Sequence, residues 1–474
     1  MLMSRSYRNR RAFWWHTITT AQLALVVAHV VVGVWLQQLI PLVVFSLIAA
    51  VQHRSRPIWL LCIVGGALGI VASQAAWAHA VPEHLGAFSG SACLVTDPTP
   101  KAGATQAVFE VGGQRFETWA RGSPRRRIND HLAGECATID AERKALVGVP
   151  ARRAAIRHVV GGLQLQTVGD WSTGTPIARA SNRVRRLFAQ GAAQLRSPDN
   201  ELFAGLVIGD DRNEPIALIQ QFRASGLSHL TAVSGQNVSF VLAAAAPLLR
   251  RFRPAGRWLI TLALITWFAA LTRFEPSVLR AGVMAGIAAT GYFMGRERPA
   301  LRLLTLAVGA LVLIDPMLVW SVGFWLSVGA TAGVALLGTA LVAYIPGPRW
   351  LAVPAAVTIG AQCGVAPVSL LVFGTLPLVS IPANLLAVPV AGFVMLYGLP
   401  AGLIAGALRP VLGGTLSAVV QMPSAIATRW VATVAALGAR FEPSPGWGLI
   451  GWSCIAAALV ARIVAIRFRP IWQG

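Results

Sequence analysis

The sequence predicts a polytopic α-helical membrane protein of about 10 to 12 spans carrying one extracytoplasmic β-rich domain. Three observations predict it. The chain of 474 residues is 55% hydrophobic and only 12% charged. Long apolar runs recur from His16 to Ile466, as expected of helices that satisfy their own backbone in lipid. Between residues 79 and 200 those runs stop, and alternating β-favouring segments replace them.

The first region, 1–78, opens with Arg5, Arg8, Arg10 and Arg11 ahead of apolar stretches at 13–36, 39–51 and 57–78. No small-residue cleavage site follows cleanly, so the start reads as a retained anchor. Basic residues on both sides of the first stretches, including His53, Arg54 and Arg56, put the N-terminus and residues 52–56 in the cytoplasm. The third stretch then delivers the polar region outside.

In the second region, 79–178, residues 106–120 place two strands about Gly112-Gly113, a two-residue hairpin signal, and 134–139 and 161–167 read as further strands. Cys93 and Cys136 are the two cysteines here. An oxidising exterior allows them to pair, and closing that loop is worth roughly 4 kcal/mol in the chain-entropy model. Two unpaired thiols remain the alternative, since spacing does not show that they meet. The other three, Cys62, Cys363 and Cys454, fall in apolar stretches and read as small buried hydrophobes.

Arginines concentrate outside: Arg115, Arg121, Arg125, Arg126, Arg127, Arg152 and Arg153, then a basic amphipathic connector helix at 179–200. Residues 79–197 hold sixteen Lys or Arg against nine Asp or Glu. Long external domains are exempt from the positive-inside rule, which leaves capture of an anionic polymer or contact with lipid head groups.

The last region, 201–474, is apolar again. Basic connections at 250–257, 296–302, Arg349, Arg409 and 467–470 fall one hairpin apart, as if each faced the cytoplasm. The glycine pairs Gly282 with Gly286 and Gly291 with Gly295 predict close helix packing.

Several chemistries are excluded. Neither lysine, Lys101 or Lys144, lies in a GxxxxGK[ST] loop, so this sequence has no recognisable ATPase and the energy for movement comes from elsewhere. The last of eight histidines is His229, and neither H-x-H-x-D nor H-E-x-x-H occurs, which removes a histidine-rich metal hydrolase from the second half. No cofactor and no metal are expected.

The most informative stretch is 226–249, apolar enough to cross a bilayer yet interrupted by Ser234, Gly235, Gln236 and Asn237. Unpaired backbone in hydrocarbon is tolerated only where protein or a wet cavity satisfies it, so the break marks a passage, a packing joint or a catalytic site. His229, Arg280, Asp315, Gln362 and Asn384 are the other polar candidates to line a passage with it. Asp315-Pro316 also reads as a plain helix end. The catalytic alternative is an intramembrane hydrolase with Ser234 as nucleophile and His229 as base. A transporter for a smaller anion is a third reading.

The ordered segments 205–215 (GLVIGDDRNEP), 226–240 (GLSHLTAVSGQNVSF), 276–286 (PSVLRAGVMAG), 315–316 (DP), 323–327 (GFWLS), 361–374 (AQCGVAPVSLLVFG) and 383–390 (ANLLAVPV) resemble the competence region of the ComEC family, inner-membrane channels for DNA in natural transformation. The resemblance runs from about residue 200 to 400. It implies a multi-pass protein of the bacterial plasma membrane that passes single-stranded DNA without chemistry of its own. It also implies that the outer region is OB-like and binds that strand, and that a separate ATP-driven translocase and a DNA receptor act with it, with a homodimer as one arrangement. The chain departs from the family pattern at Gln236-Asn237, where SG-x-H is common, and at Trp325, where a Gln is common. Roles of that histidine and glutamine do not carry over. The family's metallo-β-lactamase-like domain is not matched, so degradation of the second strand is expected of another protein.

Overall fold

The computed structural model describes residues 18–38, 56–231 and 235–467. The N-terminal arginines and the stretch 39–51 lie outside them. Helix α1 (Thr20–Leu36) begins at a capping box, in which Thr19 accepts from the Gln22 backbone and the Gln22 side chain accepts from Thr19. It packs along α2 (Arg56–Ala78), which leads into the β-domain.

The β-domain has six strands: β1 (Gly86–Leu94), β2 (Thr99–Lys101), β3 (Ala104–Val111), β4 (Gln114–Ala120), β5 (Cys136–Ala145) and β6 (Val159–Ser172). Their order is β1-β5-β6-β4-β3-β2, and β1 also pairs with β3, so five of them close into a ring with β2 as an extra edge. Only the β4–β6 pairing is parallel. Helix α3 (Gly122–Ile128) crosses between β4 and β5, and α4 (Gly148–Ala155) between β5 and β6. The expected hairpin is present: Gly112 and Gly113 both take positive φ, +59° and +80°, as a tight β3–β4 turn requires. Alternate residues point inward, and Leu94, Phe109, Phe116, Ile128 and Ile139 fill the interior. Cys93 faces Cys136 across β1 and β5, and the two form a disulfide with Cα atoms 3.9 Å apart.

Helix α5 (Pro176–Ala192) starts on a Thr175 cap with Pro176 in its first turn. Its apolar face is sealed onto the membrane helices. Phe188 stacks on Phe203 of α6 (Asp199–Ile208) with ring centroids 5.0 Å apart, and a Cβ on Gly191 would lie 2.0 Å from the Gly402 carbonyl oxygen. Small residues let the two backbones touch. The helix is therefore a joint between the two halves, and its buried polar residues, Ser181, Asn182 and Arg185, face protein.

Beyond it run α7 (Ile216–Ala224), the single turn α8 (Ser228–Thr231), α9 (Gly235–Leu249), α10 (Pro254–Leu271), α11 (Pro276–Phe293) and α12 (Ala300–Ile314). They are followed by α13 (Val322–Gly333), α14 (Arg349–Phe373), α15 (Ser380–Phe441) and α16 (Pro445–Arg467). Helix α15 has 62 residues but is not a rod. The Trp430 indole donates to the Leu386 carbonyl and the Tyr397 hydroxyl to the Val420 carbonyl. A straight helix would hold the first pair about 66 Å apart. The chain doubles back, with Ser417 bonded to Ala405 near the bend and Pro410 between them.

Among the described residues six helices are long and apolar enough to cross a membrane. Three shorter apolar helices, Thr20–Leu36, Gly235–Leu249 and Ala300–Ile314, stand beside them. The expectation of about 10 to 12 is larger because it also counted these short helices, the second limb of α15 and residues 39–51. Of the predicted glycine pairs, Gly282 and Gly286 do face α10, whereas Gly295 only ends its helix with positive φ. The tighter approach is one the sequence reading passed over: a Cβ on Gly364 of α14 would lie 2.0 Å from the Gly329 carbonyl oxygen of α13.

Candidate nucleic-acid interface and interrupted span

A buried ion network joins the two halves. Arg185 of α5 is only 4% exposed. Its guanidinium reaches Asp97, in the β1–β2 loop, at 3.0 Å and Asp210, after α6, at 3.3 Å. Its other terminal nitrogen donates to the carbonyls of Ile208 and Leu271, at the ends of α6 and α10. Arg273 donates to Asp97 and to Asn182, and Arg212 forms a bidentate pair with Asp210. Asp97 shows the balance of forces. Burial alone would raise its pKa, but Arg185, Arg273 and Arg212 together hold it down to about 2. The loop after α6 also carries Glu214, whose pKa burial pushes up to about 8, with Asp211 and Asp210 adding repulsion. Its Oε1 has no hydrogen-bond partner and would lie 2.2 Å from a Cβ on Gly205.

The interrupted span comprises α8 and α9. Ser234 lies outside the described residues, so the pairing with His229 that the hydrolase alternative needs is not placed, and His229 itself is exposed on α8. Gln236 and Asn237 line a cavity of about 10 Å³, room for a single water, with Leu206, Leu230, Phe240, Val388 and Met395. The Asn237 amide donates to the Leu206 carbonyl at 3.4 Å. Gly235 packs elsewhere: a Cβ there would lie 2.9 Å from both Arg280 Nη2 and Ala281 Cβ of α11. Arg280 is 6% exposed and donates to Ser327 Oγ at 2.8 Å and Met284 Sδ at 3.2 Å.

The other polar candidates are dispersed. Asp315 caps the turn Pro316–Trp320 through the Met317 N–H and meets His158 of the β-domain at 2.9 Å. It sits in a cleft of about 340 Å³ with His79, Gln114 and Arg115. Asp315 is thus the helix end that Asp315-Pro316 suggests, and its carboxylate also meets the β-domain. Asn384 is buried with its amide on the Ser380 carbonyl, Gln362 is half-buried on α14, and the Trp325 indole donates to the Val319 carbonyl.

The outer arginines divide by what they touch. Arg125 donates to the Gly103 carbonyl and Arg127 to the Val168 carbonyl, so both brace the domain itself. Arg152 lies over the Trp77 ring at the end of α2. Arg121, Arg126 and Arg153 are exposed. Sequence reasoning missed Trp119, 51% exposed on β4 opposite Gln106, and it missed the ion network. The signal for the network was present in the density of charge at 209–215, against an apolar flank.

Comparison with known proteins bears on the membrane half first. The family model described as "Competence protein" matches residues 206–469, more than half of the chain. The "Uncharacterized protein YcaI" of Escherichia coli (strain K12) is 30% identical over 217 residues, 42% of this chain and 28% of its own length. "ComE operon protein 3" of Bacillus subtilis (strain 168) is 26% identical over 223 residues, 46% and 28%. "Competence protein ComA" of Neisseria gonorrhoeae is 28% identical over 367 residues, 70% and 50%. The matches therefore span half or less of these relatives' own lengths. No solved structure matches. The interrupted span and the charged 209–215 loop both lie within the matched region, and the chain belongs to the ComEC family of competence proteins.

Proposed function

We propose that the chain is a multi-pass channel of the bacterial inner membrane that admits single-stranded DNA to the cytoplasm during transformation. The observation that carries this reading is the competence-family match across the membrane half, which contains the interrupted span. A disulfide in the β-domain favours an oxidising exterior for that domain.

The outer domain is OB-like in this reading. The ring β1-β3-β4-β6-β5, with one parallel pairing and a helix before β5, follows the order of that five-stranded barrel. On such barrels the face of the second and third strands, here β3 and β4, takes oligonucleotides. Trp119 stands exposed on that face with Arg121 at the end of its strand and Lys101 bonded to Gln106 beside it. An aromatic platform with cations around it suits single strands, because every base has a face to stack and every linkage a charge to neutralise. A separate ATP-driven translocase and a DNA receptor complete the pathway.

The test is a deletion strain supplied with labelled DNA. Loss of label from the cytoplasm with surface binding retained is the expected result. Undiminished cytoplasmic uptake sinks the channel reading.

A further inference from the structure

We infer that Arg280 is a phosphodiester-binding site inside the helix bundle, a subsite that rests on the channel reading and sharpens it. Among the described residues no carboxylate pairs with this guanidinium; its partners are a hydroxyl and a thioether. Both are neutral and both are weak holders of a full charge. A cation taken out of water without a counter-ion is costly and is kept inside membrane bundles where it meets an ion or substrate. The network at the domain junction shows what this chain does with structural arginines, since Arg185, Arg212 and Arg273 all meet aspartates.

Gly235 of α9 lies directly against this guanidinium: it has no side chain, and a Cβ there would lie 2.9 Å from Nη2. Arg280 is therefore in contact with the polar stretch that breaks the apolar run. A planar guanidinium accepts two phosphate oxygens at once, and one linkage of a passing strand would displace Ser327 and Met284 from it. Single strands present such a linkage at every nucleotide, so binding at one site does not select sequence.

The experiment compares Arg280→Lys with Arg280→Met in a deletion strain complemented with the full chain. Lysine keeps the charge and methionine keeps bulk without it. Cytoplasmic uptake of labelled DNA should fall about tenfold or more in Arg280→Met, the loss expected for one charge-assisted hydrogen bond, and recover substantially in Arg280→Lys. Surface binding and the amount of membrane-inserted, disulfide-bonded protein should match wild type in both. Wild-type uptake in Arg280→Met, or equal loss in both variants, overturns the site and leaves a packing role. Uptake that survives deletion of the whole chain overturns the channel reading and this site with it.

Discussion

The domain junction and the interrupted span both bury arginine, and they treat it in opposite ways. At the junction Arg185, Arg212 and Arg273 are paired with Asp97 and Asp210, and Arg185 also closes the ends of two helices. At the interrupted span Arg280 has a hydroxyl and a sulfur. Breaking a buried pair strands a charge, so paired arginines hold the architecture together. An arginine left without its counter-charge holds nothing comparable and is available to a ligand. On the proposed reading a counter-charge, not burial, separates the structural arginines from the one that meets a ligand.

The sharpest way to break that contrast is Arg185→Ala. It leaves Asp97 to Arg273 and Asp210 to Arg212 alone and takes the donor from the buried Ile208 and Leu271 carbonyls, which costs about 1–3 kcal/mol. A lower melting temperature in detergent is expected, with faster proteolysis of the 79–200 region. Unchanged values for both would mean that the network is ornamental.

Gly235→Leu tests the other region and leaves the first intact. The new side chain meets Arg280 and Ala281 at once. DNA uptake should be abolished while membrane insertion and surface binding stay within wild-type range. Normal uptake would identify the break as a packing joint and place the passage elsewhere.

Glu214 gives a pH handle on the junction. Its folded pKa, about 8, is above the ordinary carboxylate value, so the fold favours its protonated form. That contribution is complete below the ordinary value of 4.5 and is lost as pH rises through 8. Asp97 runs the other way: held at about 2, it contributes above 3.8 and loses that contribution as pH falls through 2. Protection of the amides in residues 205–215, corrected for the base-catalysed rise of intrinsic exchange, should therefore fall between pH 4.5 and 8, and Glu214→Gln should flatten the fall. A flat wild-type profile removes the protonated carboxyl from the account.

The smallest effects belong to the outer face. Trp119→Ala should weaken single-strand binding by about 1–3 kcal/mol, the usual value of one stacked base. Arg126→Ala should cut the slope of log affinity against log salt by about 0.7, one phosphate contact. Titrations of the full chain in nanodiscs measure both. A slope unmoved by Arg126→Ala assigns the exposed arginines to lipid head groups.

Much of this was legible beforehand, and for local reasons. The Gly112-Gly113 turn was readable because only residues that accept positive φ make that hairpin. The break at 234–237 stood out because polar residues in an apolar run are costly in lipid. Arg409 marked a turn between spans, and α15 does fold back near Pro410. Strand β1 escaped notice because GAFSGSACL alternates between residues that are mostly small, which leaves little contrast in hydropathy between its two faces. The amphipathic connector was legible from its periodicity, but not that Arg185 lies on the buried face of α5.

The sequence by itself determined the class of protein, the position of the β-domain along the chain and the place where polar residues break an apolar run. Those follow from hydropathy, turn chemistry and the cost of bare backbone, all properties of neighbours along the chain. Tertiary structure decided which charges pair. Asp97 meets Arg273 across 176 residues and His158 meets Asp315 across 157, while Arg280 finds no such partner among the described residues. Coulomb attraction and desolvation act through space, so a sequence shows that a charge will be buried but only the fold determines whether an opposite charge is buried beside it.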